Sequence, residues 1–416
     1  MAFNNLPDEI QDAIQEGYLE REFKDSLTAQ LTFRDIADRE QFTAGVGETI
    51  KKTRAGLLPA ATTPLNNSDN SDLNSGIEKQ QFPIEQYEAS VDQYGSGTDL
   101  NLAKAKVAIA DVFIQNAKAQ AEQARRTVDT LARNALVTAY LGGNTFVAET
   151  LAAAGADVKV DDVNGFAAGQ TVSVNGALAT VQSVAVDAVN NSVLKAFGAR
   201  SGVITFTANV TVANGTVGKL VQKADAAYLI DGSASTLTAD HVLDAASQLQ
   251  ANGVEPLANG FYRAYVNPKQ ATGLFKDDKV RNLMTSGLSS EEARRGVIGV
   301  LHGVEFVRSN LNPSFTRSGT TLYQAPIVGK GALIESVFTN TAYEGNERAG
   351  QISHIISVND VVHVTRPPIN MLADVVTQAW TYIGGFTAPT DKNTTPDVLP
   401  SASNAALKRA VIIQSK

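Results

Sequence analysis

Cysteine is absent from the 416-residue chain, which excludes a disulfide framework, a thiol nucleophile and a thiolate metal site. Stability must then come from packing, hydrogen bonding or assembly. Histidine is nearly as scarce: His241, His302, His354 and His363 are the only four, none is set in an HExxH pattern, and only His354 and His363 fall within ten residues of each other. Solvated or core histidines are the better reading of all four. No apolar run is long enough to cross a bilayer, and the opening MAFNNLPDEI has neither a basic segment nor an apolar one of the kind that directs export. The expectation is a soluble product made in the cytoplasm, with no membrane partner. With 13 Pro and 32 Gly, 43% hydrophobic and 19% charged residues, the composition is neither collagenous nor disordered, and the length allows two to three domains around a sizeable core.

Positive charge is also in short supply where nucleic acid would need it. The formal net charge is -8. Residues 1–50 hold eleven acids against Arg21, Lys24, Arg34 and Arg39, so the rest of the chain is close to neutral at about -1. A chain without a clustered Lys/Arg stripe is poorly made for wrapping or reading DNA, because phosphate neutralisation needs such clusters. Contact with nucleic acid is expected to be weak and non-specific.

Asn5-Leu6-Pro7-Asp8-Glu9 has helix-start chemistry, and Ile10, Ile14 and Tyr18 follow at helical spacing, which predicts an amphipathic helix over 8–24. From there to about residue 55 the apolar residues Leu27, Leu31, Phe33, Ile36 and Phe42 are scattered among charges, too thinly for a core of their own. Residues 1–55 therefore read as an arm that must lie on something else. Between 56 and 98 a polar loop, TPLNNSDNSDLNSG, precedes an alternating run of Phe82, Ile84, Tyr87, Ala89 and Val91 beside Pro83. This resembles an extended two-stranded ribbon with a Pro-marked edge, and such a ribbon is marginal in water unless a neighbour covers it.

Residues 99–142 contain no Pro or Gly before Gly142-Gly143, are rich in Ala, and repeat small or apolar side chains at helical spacing. They predict one long helix of roughly 60 Å, a spine rather than an ordinary packing element. Charge then thins between 156 and 226, where Val, Thr, Ala, Asn and Gly dominate. Val172, Val174, Val181, Val184 and Val186 form one set and Ile204, Phe206, Val210 and Val212 another. Asn175-Gly176, Asn190-Asn191 and Asn214-Gly215 supply turn chemistry between them. This predicts a small inserted all-β domain. The remainder, 227–416, mixes both periods: a capped helix over Thr238–Gln250, a capping box at Ser289–Glu292, and strands over 261–267, 303–309, 321–328, 352–365, 375–383 and 407–413. The class expected is α+β.

Motifs for catalysis or cofactor binding fail on inspection. Gly215–Leu220 imitates a P-loop but has the wrong glycine spacing, and Leu220 stands where a magnesium-binding hydroxyl is needed. Gly45-Val46-Gly47 lacks a third glycine and a preceding strand, no GxSxG elbow occurs, and Asn66–Asn74 lacks the glycine and closing Glu of a calcium loop. The sequons at Asn190, Asn209 and Asn214 read as turn composition. Arg125-Arg126 on the spine either meets an acidic partner, such as the arm of another copy, or faces water. The expectation is no enzyme, no metal and no cofactor.

Arm, ribbon and spine are elements that make sense when laid across neighbouring subunits, since ordering them has an entropy cost that only intermolecular contact offsets. The inter-subunit contact residues predicted on this ground are Ile10, Ile14, Tyr18, Phe82, Ile84, Tyr87, Val91, Arg125 and Arg126. The order of the elements, with the segments FYRAYVNP (261–268), GVEFVRS (303–309), VVHVTRPPIN (361–370) and WTYIGG (380–385), resembles the major capsid proteins of tailed double-stranded DNA phages with the Hong Kong 97 type fold. That resemblance implies an N-terminal arm (1–55), extended loop (56–98), spine helix (99–142), inserted β domain (156–226) and an α+β body of axial and peripheral domain elements (227–416). It also implies self-assembly into pentamers and hexamers of an icosahedral virion capsid inside the host bacterium. Copies of itself are then the main partners, with scaffolding, portal and decoration proteins beside them and packaged DNA held weakly. A surface-layer or adhesive β-rich protein and the shell subunit of a protein nanocompartment are the alternatives.

Overall fold

The computed structural model describes residues 17–28, 32–42, 49–55, 58, 60–62, 84–101, 109–149, 155–174, 176–211, 220–223, 229–232, 235–287, 299–317, 319–338, 354–368, 371, 375–389 and 409–416. In chain order the elements are α1 (Tyr18–Thr28), β1 (Ala37–Phe42), β2 (Thr49–Ala55), β3 (Ile84–Ser90), β4 (Asp92–Asn101), α2 (Ile109–Leu141), β5 (Asn144–Phe146), β6 (Gly155–Val160), β7 (Thr171–Val174), β8 (Ala177–Val186), β9 (Gly202–Val210), β10 (Leu220–Lys223) and β11 (Leu229–Gly232). They continue with α3 (Ala239–Ala251), β12 (Tyr262–Val266), α4 (Pro268–Lys276), α5 (Asp278–Gly287), β13 (Val300–Leu301), β14 (Val304–Arg308), β15 (Ser314–Arg317), β16 (Thr320–Val328), β17 (Leu333–Phe338), β18 (His354–Val358), β19 (Val361–Arg366), β20 (Val375–Thr387) and β21 (Ala410–Ser415). The chain divides into two compact units. One comprises 1–50, 89–136 and 333–388, the other 51–88, 137–332 and 389–416.

In the first unit a six-stranded sheet runs in the order β1-β17-β20-β19-β18, with β4 paired to β20 along its whole length, from Asn101 opposite Val375 to Asp92 opposite Gly384. Strand β1 lies parallel to β17, and the other pairs are antiparallel. One face of this sheet carries Val361, Val376, Trp380 and Tyr382. Against them pack the small-residue stripe Phe113, Ala117, Ala121, Ala124 and Val128 of α2 and the apolar stripe Leu19, Phe23 and Leu27 of α1. Both stripes follow the helical period, and the Ala positions let the α2 backbone come close to the strands.

The arm expected over 1–55 is thus corrected in part. Leu19, Phe23, Leu27, Phe33 and Ile36 are buried within their own chain. Too few to form a core alone, they complete one supplied by distant segments. The helix described in this stretch is Tyr18–Thr28, and the portion predicted over 8–16 lies outside the described residues. The spine also starts later than its composition suggested, since Asp99–Asn101 extend β4; the helix is described over Ile109–Leu141, 33 residues or about 50 Å. Pairing with β20 takes Asp99–Asn101 out of the stretch predicted as helix. At the other end the helix stops at Gly142-Gly143 as predicted, with Gly143 at φ 85°.

Among the described residues the second unit holds two large sheets. Residues 144–223 form a six-stranded sheet in the order β5-β10-β7-β8-β9-β6, around Val158, Val160, Val172, Val174, Val181, Ile204 and Phe206. Of the residues in the two predicted strand sets, Val184 is half-buried, Val186 is exposed, and Val212 lies outside the described residues. Register shifts between Val181 and Ser183 on β8 turn the strand at that point, which carries its far end out of the core. The second sheet runs β11-β21-β16-β12-β14-β13 with β15 on β16, and α3 and α4 bury Val242, Ala246, Leu249, Ala271 and Leu274 in the same core as Ala264, Ile327 and Val411. Thr238 caps α3 through the His241 amide as expected, and Asn267 caps α4, with Pro268 at its first position. Strands β2 and β3 form a separate two-stranded sheet; β2 falls in the stretch expected as arm, while β4, expected in the ribbon up to residue 98, pairs with β20.

Candidate functional site

Among the described residues no group of three or more His, Asp or Glu side chains is placed to hold a metal ion. The histidines lie apart in role. His241 completes the cap of α3, His302 occupies a tight turn at φ 52°, His354 is half-buried on β18, and His363 is fully buried on β19. Gly215–Lys219 and Asn66–Asn74 lie outside the described residues.

The most heavily built polar site lies in the first unit, where sequence reading found nothing. Glu335 sits on β17 in the apolar run LIESVF and is fully buried. Its carboxylate accepts hydrogen bonds from Arg34 Nε at 2.9 and 3.1 Å and from the Tyr382 hydroxyl at 2.9 Å, and pairs with Arg39 Nε at 3.4 Å. The Arg34 guanidinium, 2% exposed, also donates to the Asn359 carbonyl at 3.0 Å and to Asp360 Oδ2 at 3.2 Å. Its Cζ lies 5.7 Å from the Tyr382 ring centre. Burial, reinforced by the Glu335 charge, pushes the Tyr382 phenol far above the ordinary tyrosine range, so it stays a donor.

Asp129 of α2 accepts from the Phe33 amide at 2.6 Å, the Arg34 amide at 3.1 Å and the Thr32 hydroxyl. Charged groups here are paired and hydrogen-bonded, the condition under which burial is tolerated. The site ties residues 32–39, the α2 helix, β17 and the β18–β19 turn to one geometry. It is a clamp. One signal was legible beforehand: Asn359-Asp360 is a two-residue hairpin turn, with φ 49° and 66°, inside what reads as one strand over 352–365. Nothing in the charge-rich sequence around Arg34 singles it out.

The predicted contact residues are dispersed. Ile10, Ile14 and Phe82 lie outside the described residues, and Ile84 opens β3. Tyr87 and Val91 are already buried in their own chain, which leaves them little surface to offer another copy. Tyr18 is half-buried with the Arg21 guanidinium 5.0 Å from its ring centre. Arg125 and Arg126 both reach Glu122 on the same helix, Arg125 at 3.9 Å; Arg126 is the more exposed of the two.

The chain's fold is similar to that in the acid-stable capsid of Helicobacter pylori bacteriophage KHP30, with a TM-score of 0.52 over 93% of this chain and 91% of that one at 9% identity. It has a phage capsid fold. Lower scores come from the capsid of cyanophage P-SCSP1u (TM-score 0.49, 12% identity, 93% and 88% covered) and that of Ralstonia phage GP4 (0.47, 12% identity, 92% and 88% covered). The α+β capsid fold expected from the order of elements is therefore the fold observed. No protein-family model matches the sequence, and no curated protein matches it. In a capsid fold the Arg34–Glu335 clamp is a structural feature of the first unit.

Proposed function

We propose that the chain is a non-enzymatic shell subunit whose copies assemble into the pentamers and hexamers of an icosahedral phage capsid enclosing double-stranded DNA. The observation that carries this reading is the capsid fold, shared over nearly the full length of both chains with the KHP30 capsid protein. The acidic balance supports it too, since a shell of net charge -8 per subunit holds packaged DNA weakly. Contacts between copies through residues 1–16, the β2–β3 ribbon and the exposed Arg126 belong to the same proposal, as do scaffolding, portal and decoration proteins as further partners and assembly in the host cytoplasm. The sheet of 144–223 is proposed as the inserted domain on the common fold.

Electron microscopy and light scattering on the full chain test the proposal. A truncation should remove residues 1–16 and stop there, because cutting to 55 also strips Leu19, Phe23 and Phe33 from the core. Closed shells or capsomers from the full chain, reduced on truncation to 17–416, are the expected result. A monodisperse monomer that stays monomeric with a scaffolding protein or under crowding overturns it.

A further inference from the structure

His363 lies on β19, hydrogen-bonded into the sheet between β18 and β20, and its side chain is fully buried. Neither ring nitrogen has a hydrogen-bond partner among the described residues. The imidazole faces the ring of Phe23 on α1, with centres 4.8 Å apart. A buried imidazole placed against an aromatic ring is comfortable neutral and poorly accommodated charged.

The charged groups on the elements around it do not rescue the cation. They are Glu20, Arg21, Glu22, Lys24 and Asp25 on α1, His354 on β18, Arg366 on β19, and Asp111, Lys118, Glu122, Arg125, Arg126, Asp129 and Arg133 on α2, with Glu22 and Lys118 paired to each other at 2.8 Å. Strand β20 contributes none. Of these groups His354 acts on His363, and its charge opposes a second one, while the Glu20 carboxylate acts on His354.

We propose that His363 is a proton-operated latch on helix α1: the neutral ring seats Phe23, and protonation drives α1 off the sheet while the sheet itself stays formed. Helix α1 is the part that yields because of how each cover is held. β19 is bonded on both edges, whereas α1 is held by the side chains Leu19, Phe23 and Leu27 and the Glu22–Lys118 pair. Burial lowers the His363 pKa from 6.5 to about 4. The open form, in which the ring reaches water, binds the proton from about 6.5 downward, so stability is complete above that pH and declines between 6.5 and 4. The open population rises by less than tenfold per pH unit near the ends of that window, and by about fortyfold in all between pH 6.5 and 4.5.

The chain carries its own reporter, since its single tryptophan, Trp380, sits opposite His363 on β20. The test titrates the full-length protein from pH 7.5 to 4 by Trp380 fluorescence and follows hydrogen exchange of 17–28 and 375–387, corrected for intrinsic rates. His363→Leu and His354→Gln are measured alongside. The expected result is loss of protection in 17–28 below pH 6 with 375–387 still protected, a parallel fluorescence change, abolition of both in His363→Leu and retention in His354→Gln. Protection of 17–28 that is independent of pH, simultaneous loss in both segments, or an unchanged response in His363→Leu overturns the proposal. Should His363→Leu fail to fold, the wild-type histidine NMR titration decides: one of the four rings must stay neutral until well below pH 6, and four rings titrating near 6.5 refute the latch.

Discussion

Replacing Arg34 by Met is the most demanding test of the clamp. Met replaces the apolar stem but ends where the guanidinium begins, leaving the fully buried Glu335 carboxylate with the Tyr382 hydroxyl at 2.9 Å and the half-exposed Arg39 at 3.4 Å. Removing one partner of a buried ion pair generally costs about 3–5 kcal/mol, because the other charge stays desolvated. Arg39 is close enough to offset part of this, so the expected loss is near the lower figure, about 3 kcal/mol. The double variant Arg34→Met/Glu335→Gln removes the stranded charge while retaining an acceptor for Tyr382. It should recover at least half of the loss, since replacing a whole buried pair is often close to neutral. Urea denaturation followed by Trp380 fluorescence reads this unit specifically, because the only tryptophan lies in its core. A loss below about 1 kcal/mol, or a double variant as unstable as the single one, would refute the argument that Arg34 is what makes the burial of Glu335 tolerable.

Three further outcomes follow from the same geometry. Asp129→Ala takes away the acceptor for the Phe33 and Arg34 amides and should lower the stability of the first unit by about 2–3 kcal/mol, seen as a shift in the same urea midpoint. Gly385→Ala would drive a Cβ into the Ser90 carbonyl oxygen, so backbone must move where β4 meets β20; a clear drop in soluble yield and Tm is expected, and a wild-type Tm would contradict it. Asp161→Ala removes the acceptor for the Ser192 hydroxyl and the Val193 amide, each at 2.8 Å, and should speed hydrogen exchange across 187–201 while leaving 375–387 unchanged.

How much was legible follows the distance over which each element is specified. The Thr238 cap, the body of the spine and its stop at Gly142-Gly143 are local features, and the structure places them where the pattern did. The start of the spine failed because Asp99–Asn101 form strand through partners almost 280 residues away, at Val375–Thr377. Strand β1 reads as charged and irregular, ADREQF, and exists because β17 offers it a parallel edge. The predicted end of β20 at Ile383 gave way for a similar reason. Gly384 and Gly385 look like a boundary, yet they continue the strand, and at Gly385 the Ser90 carbonyl comes close enough to require glycine. The candidate contact residues were chosen for lacking local partners, and Tyr87 and Val91 show that a partner can lie far away in the same chain.

By itself, the sequence determined what short-range chemistry controls: an α+β chain without thiols, an Ala-rich spine, Val-rich strands with turn residues between them, and an order of elements that resembles a capsid protein. Periodicity and turn chemistry act within a few residues, so they survive without knowledge of the fold. Tertiary structure alone decided that α1 belongs to a core, that Arg34 and Glu335 meet 301 residues apart, and that His363 is shut beneath Phe23. Those outcomes depend on which distant surfaces exclude water from a given side chain, and burial of that kind has no local signature.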